Sequence, residues 1–234
     1  MLKVISFNIC PFVQRVTALL EAKRIAYEIE YISLKDKPQW FLNISPHGQV
    51  PVLVTESGEA LFESDAIVEY LEEAYPALDS TMTNERRAIN RAWSYLASKN
   101  YLVQCSAQRS PNEKSFEERS VKLNRAFAAI ENVLGKTLFF NTNTLSMVDI
   151  AWLPLLHRAS IVEQCAGYDF LLGYPKIKRW QEQLLASGLA TKAVPDNFAQ
   201  AFVAFYLSDE TFLGKKYDIC TGMALDTCKA SGCC

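Results

Sequence analysis

At 234 residues the chain is long for one ordinary domain and comfortable as two small ones. Half of it is hydrophobic and 21% is charged, which is ample material for a core. The 24 Lys and Arg against 26 Asp and Glu leave a net charge of -2 with no clustered basic stripe, which argues against an electrostatic nucleic-acid binder. No apolar run approaches the ~18 residues of a membrane span, and the opening run from Met1 to Phe7 turns polar too quickly for a signal peptide. The expectation is a cytoplasmic protein with no membrane partner. Thiols stay reduced there, and seven scattered cysteines do not suggest a disulfide framework.

In chain order, Lys3–Phe7 is a β-branched and aromatic run that predicts a strand. Asn8-Ile9-Cys10-Pro11 is a turn, with Pro11 suited to a first helical position that needs no N–H. Phe12, Val16, Leu19 and Leu20 mark one face of a helix running to Lys23. Tyr27–Tyr31 alternates with period two and reads as a second strand. After the polar loop at 35–38 comes a short aromatic turn at Trp40-Phe41. Val52–Thr55 and Ala60–Phe62 are predicted to form a hairpin through Ser57-Gly58, and Ser64 starts a further helix. This β-α-β-(short α)-β-β-α order makes residues 1–76 an α/β unit of thioredoxin size.

Residues 77–83 lack periodicity and read as a linker. Helices are predicted over Glu85–Gln108, Glu113–Leu134, Ser146–Cys165, Lys176–Leu185 and Asp196–Leu207, so 84–208 is an all-helical domain. Ser146-Met147-Val148-Asp149 fits a capping box, which makes Asp149 a folding residue. Residues 209–234 form a tail carrying Cys220, Cys228, Cys233 and Cys234. Their spacing matches no zinc motif; a functionally silent tail is the favoured reading, with a soft-metal or redox-relay role as the alternative. His47 and His157 have no ligand spacing with a cysteine pair, so no metal is expected.

Three places carry chemistry. Cys10 closes a strand and opens a helix, where free N–H groups and the positive end of the helix dipole are expected to lower a thiol's pKa. Three residues on stands Val13, so no resolving cysteine sits in the helix and the site is monothiol. Val50-Pro51 precedes a strand where a cis-proline loop of a thioredoxin-like domain would sit, ready to pair with an extended ligand. Ser64 can cap its helix, and Glu63 beside it can accept from an ammonium. Together with the helix N-terminus the pair suits an amino-acid zwitterion.

Cys10-Pro11-Phe12-Val13, Lys37-Pro38-Gln39-Trp40-Phe41, Gly48-Gln49-Val50-Pro51-Val52-Leu53 and Glu63-Ser64-Asp65-Ala66-Ile67 follow one another in an order that resembles the cytosolic glutathione transferases. The cysteine-type omega class is the most similar. The resemblance implies an α/β thioredoxin-like N-terminal domain plus an all-α C-terminal domain, with glutathione as cosubstrate and a homodimer as the assembly. It implies the γ-glutamyl end at Glu63 and Ser64, the cysteinyl backbone at Val50, the thiol at Cys10 and the glycyl carboxylate at Lys37. Phe12 would line the thiol end, and Pro51 would be a structural cis-proline. From the residues alone, Lys37 is a solvated loop lysine, and Trp93, Tyr101, Trp152 and Trp180 read as core aromatics, with a place for one or two of them on the co-substrate cleft as the alternative.

The resulting expectation is a thiol transferase or reductase acting through a Cys10 mixed disulfide, with deglutathionylation or dehydroascorbate-type reduction as its reaction. Conjugation of glutathione to electrophiles is one alternative. A non-enzymatic protein-binding member of the superfamily is the other.

Overall fold

The computed structural model describes residues 1–216. The cysteine-bearing segment with Cys220, Cys228, Cys233 and Cys234 lies outside the described residues. A four-stranded sheet is built from β1 (Leu2–Ser6), β2 (Tyr27–Tyr31), β3 (Val52–Val54) and β4 (Ala60–Phe62), in spatial order β2-β1-β3-β4. β2 runs parallel to β1, with Val4 opposite Ile29. β3 is antiparallel to β1, with Val4 opposite Leu53, and β4 completes the hairpin with Leu53 opposite Leu61. The parallel β1–β2 pair needs a crossover, which α1 (Pro11–Lys23) supplies.

Strand periodicity divides the core in two. Leu2, Val4 and Leu53 point to the face covered by α1 and by α3 (Ser64–Ala74). Ile5 and Val52 point to the other face, where they meet Phe41 of α2 (Gln39–Ile44). The aromatic turn expected at Trp40-Phe41 is thus one helix turn and a half, seated by a single buried ring.

The helical half comprises α4 (Asn84–Gln108), α5 (Glu113–Val133), α6 (Met147–Ala166), α7 (Pro175–Ala186), α8 (Leu189–Lys192), α9 (Phe198–Tyr206) and α10 (Phe212–Lys216). α6 is buried almost all round, between α4 and α1. It starts at the expected capping box and stops at Gly167, whose φ of 65° lets its N–H reach the Glu163 carbonyl. Asp149 holds the start of α6 together. One carboxylate oxygen accepts from the Ser146 N–H at 2.8 Å and its hydroxyl at 2.6 Å, and the other accepts from the Phe140 N–H at 2.9 Å and Trp180 Nε1 at 2.6 Å. Burial nevertheless pushes the Asp149 carboxyl upward.

Tyr101, Trp152 and Trp180 are core residues with satisfied donors: Tyr101 donates to the Ala151 carbonyl and Trp152 to that of Trp93. α8 and α10 go beyond the expected helices, because four or five residues carry no legible period. The packed region also runs past residue 208. Leu213 is fully buried, and the Phe212 N–H donates to the Ser110 carbonyl at 2.7 Å.

The two halves join along a polar seam on α1. Gln14 Nε2 meets His157 Nδ1 at 2.8 Å, Thr17 donates to the Ala193 carbonyl at 2.7 Å, and Arg15 pairs with Asp65. An apolar stripe on α1 is therefore only half of its packing surface. Its polar residues are buried too: Gln14 and Thr17 find partners across the seam, while Arg15 pairs with Asp65 of α3 in its own half, and Asp65 in turn accepts from Ser98 of α4.

Candidate active site

Cys10 is the N-cap residue of α1, reached by a turn in which its own N–H bonds the Phe7 carbonyl at 3.1 Å. Its carbonyl accepts the first intrahelical bond from Gln14 N–H. Pro11 occupies the first helical position, as expected. The Val50–Pro51 peptide bond is cis, and the Val50 carbonyl faces the Cys10 thiol at 3.9 Å. Glu63 is the N-cap of α3 and holds a φ of 66°, a region non-glycine residues enter at a cost of roughly 1–3 kcal/mol. Strain of that size is retained where the surrounding fold fixes the residue, here between β4 and α3.

These features meet in one cleft of about 280 Å³. Cys10, Phe12, Lys37, Val50, Pro51, Glu63 and Ser64 all line it, so every residue singled out from the sequence falls on the same concave surface. The N-termini of α1 and α3 open onto it, and each offers unpaired amides and positive dipole ends to an anionic group. Lys37 extends along Gly48, whose φ of +58° and lack of Cβ leave room for the ammonium. A Cβ there would stand 3.4 Å from Lys37 Nζ. Lys37 thus belongs to the cleft wall, where its own sequence context suggested a solvated lysine.

Leu34, Ser45, His47, Gln49, Phe62 and Leu102 line it as well, and sequence reasoning assigns none of them a role in the site. Ser45 organises the loop before Val50, donating to the Gln49 carbonyl and accepting its N–H, both at 2.9 Å. Leu102 comes from α4 and is 65% exposed, an apolar side chain facing the cleft from the helical half. Its signal was a leucine off the buried stripe of α4. Behind it, the Tyr101 ring meets that of Phe12 edge-on at 5.1 Å.

The electrostatics of Cys10 correct one expectation. Burial pushes its thiol up to about 11, whereas the sequence position suggested a lowered value. The expected effect is present, because the Val13 and Phe12 amides at the start of α1 and the Arg158 guanidinium all pull the value down. Desolvation outweighs them. The unliganded thiol is therefore protonated near neutral pH, and its S–H is directed at the Val50 carbonyl. Ser6, the nearest hydroxyl in sequence, is buried in the sheet and directed at the Phe7 carbonyl, so it does not reach the cleft wall.

Family models match both halves: the glutathione S-transferase N-terminal domain over residues 4–81 and the C-terminal domain over residues 113–182. Glutathione S-transferase omega-1 of Sus scrofa is 32% identical over 79% of this chain and 77% of its own length. Probable glutathione S-transferase DHAR1, cytosolic, of Oryza sativa subsp. japonica is 28% identical over 80% of this chain and 86% of its own. Among solved structures, glutathione transferase Omega 3C from Trametes versicolor superposes with a TM-score of 0.70 at 25% identity, covering 82% of this chain and 88% of that one. A thioredoxin-like half carrying a cysteine at the head of α1, a helical half seated along that helix, and relatives that span most of both lengths make this chain a member of the glutathione transferase family, an enzyme of omega-like type.

Proposed function

We propose that the enzyme is a glutathione-dependent thiol transferase or reductase that works through a mixed disulfide on Cys10. The observation that carries this reading is the meeting of Cys10 with Val50, Lys37, Glu63 and Ser64 in one cleft. Glu63 and Ser64 receive the γ-glutamyl amino and carboxylate groups, the backbone of Val50 pairs with the cysteinyl unit, and Lys37 takes the glycyl carboxylate. Phe12 lines the sulfur end, and Pro51 shapes the turn that aims Val50.

The chemistry runs in two exchanges. Cys10 sulfur attacks the glutathione sulfur of a mixed disulfide, the S–S bond breaks, and the departing thiolate takes the proton that Cys10 releases. A second glutathione then attacks the Cys10–glutathione bond, giving oxidised glutathione and returning the Cys10 thiol. With a dehydroascorbate-type substrate Cys10 sulfur adds to the carbonyl, a first glutathione attacks that sulfur and expels the reduced substrate with the electron pair of the broken S–C bond, and a second glutathione clears the Cys10–glutathione disulfide, so two glutathiones become one oxidised glutathione. The raised thiol pKa limits the thiolate population, but the thiolate formed is the more nucleophilic for it.

The relatives' omega and DHAR names support this class of reaction, and so does the cysteine at the position where conjugating chemistry would want a hydroxyl. A homodimer working in the cytoplasm, where glutathione keeps thiols reduced, completes the reading. The test is turnover of a glutathionylated peptide with glutathione. Cys10→Ala loses the activity at least a hundredfold on this account, and full activity in that variant removes Cys10 from the reaction.

A further inference from the structure

The thiol of Cys10 must lose its proton in a buried setting, and one cation stands behind it. Arg158 of α6 is fully buried. Its Nη2 donates to the carbonyl of Ile9, the residue just before Cys10, at 3.1 Å. Its Nη1 donates to the Pro154 carbonyl at 3.1 Å and to the Gln14 side chain of α1. The guanidinium also lies over the Phe198 ring, 5.2 Å from its centre. All of these partners are neutral. Among the described residues no carboxylate forms an ion pair with Arg158, and its Nε has no hydrogen-bond partner. A buried cation in this state is expensive unless an anion forms nearby.

The ionisable groups around Arg158 are Cys10 at the head of α1, Tyr101 and Cys105 on α4, and Tyr206 on α9. Its neighbour His157, held by Gln14 and stacked on Phe198, is kept neutral by burial. Tyr101 is committed to the Ala151 carbonyl, and the Tyr206 hydroxyl is bonded to the Cys105 sulfur. Lys37, the other cation of the cleft, sits beside Gly48 and does not count among the charges acting on Cys10. Of the groups that face Arg158, Cys10 alone opens onto the cleft.

We propose that Arg158 is a positioning residue whose charge is the counter-ion of the Cys10 thiolate during disulfide exchange. With the thiol protonated the pair carries one uncompensated positive charge. With the thiolate formed the pair is neutral, so ionisation satisfies both members at once. The same charge favours the exchange transition state, in which negative charge is shared among three sulfurs. The proposal deepens the thiol-transfer reading and rests on it for its place in turnover, but its test needs no turnover.

The test is the rate of Cys10 alkylation by neutral iodoacetamide at pH 8, followed on the peptide that carries Cys10. Arg158→Met and Arg158→Gln remove the charge, and each should react about tenfold more slowly than the parent, the loss expected when a rise of about two pKa units makes the thiolate scarcer but more nucleophilic. Arg158→Lys keeps the charge but cannot make the fork of bonds to Ile9, Gln14 and Pro154. It should stay within about threefold of the parent. Neutral variants that react as fast as the parent overturn the proposal. So does a Lys variant as slow as the Gln variant, because the role would then be the hydrogen-bonded shape. Should both neutral variants fail to fold, Arg158→Leu, whose apolar side chain suits the space beside Phe198, takes their place with the same tenfold expectation and the same overturning result. Loss or survival of Cys10-dependent turnover leaves this comparison intact.

Discussion

The thiol of Cys10 lies 3.9 Å from the carbonyl oxygen of Val50, joining the head of α1 to the loop before β3 across the floor of the cleft. This pairing needs the proton on sulfur, which agrees with burial raising the thiol to about 11. In unliganded protein, alkylation of Cys10 is therefore expected to accelerate about tenfold per pH unit from pH 6 to pH 9, without levelling off. A rate that levels near pH 7 would show a thiol already ionised there, and the burial argument would fail.

The wall opposite Cys10 depends on a residue without a side chain. At Gly48, with φ +58°, an added Cβ would stand 3.3 Å from Leu42 and 3.4 Å from the Lys37 ammonium. Gly48→Ala is expected to raise the KM for glutathione several-fold while leaving kcat close to the parent, since it disturbs binding and not the sulfur. The strained φ should also cost about 1 kcal/mol of stability. Steady-state kinetics with glutathione as the varied substrate checks this, and an unchanged KM would detach Lys37 from the ligand.

Asp149 receives four hydrogen bonds inside the helical half. Replacing it with Ala leaves the Trp180 indole, the Phe140 and Ser146 amides and the Ser146 hydroxyl without their acceptor. A loss of about 3–5 kcal/mol in urea unfolding is expected, a large part of the stability of a domain this size. Asp149→Asn keeps one acceptor and should lose less. Equal, small losses in both variants would assign the site little weight in folding.

His157 gives the seam between the halves a dependence on pH. Burial, followed by the neighbouring Arg158 charge, pushes it down to about 3 from an ordinary 6.5. Its neutral form is the one the fold accepts, so its contribution is complete above about pH 6.5. That contribution is lost as the pH falls towards 3, because the unfolded chain binds a proton that the folded chain refuses. The loss attributable to this group is up to about 1.4 kcal/mol per pH unit in that window. His157→Gln should flatten the fall in urea midpoint between pH 7 and pH 5, and an identical fall in both proteins would contradict it.

Much of this was legible in the chain. The turn at Cys10-Pro11, the alternation of Tyr27–Tyr31 and the box at Ser146–Asp149 are local patterns, and local physics decides them. The convergence of Lys37, Val50 and Glu63 on Cys10 came only from the resemblance, because no local rule brings four separate segments to one cleft. What stayed hidden was set by tertiary environment. The position of Cys10 announces amides and a dipole, but not the apolar packing that outweighs them. Gln14 and Thr17 lie off the apolar stripe of α1, yet both are buried and bonded to the helical half. Arg158 reads as one more arginine in a helix. α8 and α10 are too short to show a period, and Leu102 reaches the cleft from the other half of the chain, a contact no local pattern announces.

The site at which a glutathionyl group attaches decides whether Cys10 carries the exchange. The protein is incubated with oxidised glutathione, quenched in acid, digested without reductant and mapped by mass spectrometry. One adduct per chain on the peptide containing Cys10, removed by reduced glutathione, is the predicted result. Adducts confined to other cysteines, with Cys10 unmodified, would contradict it.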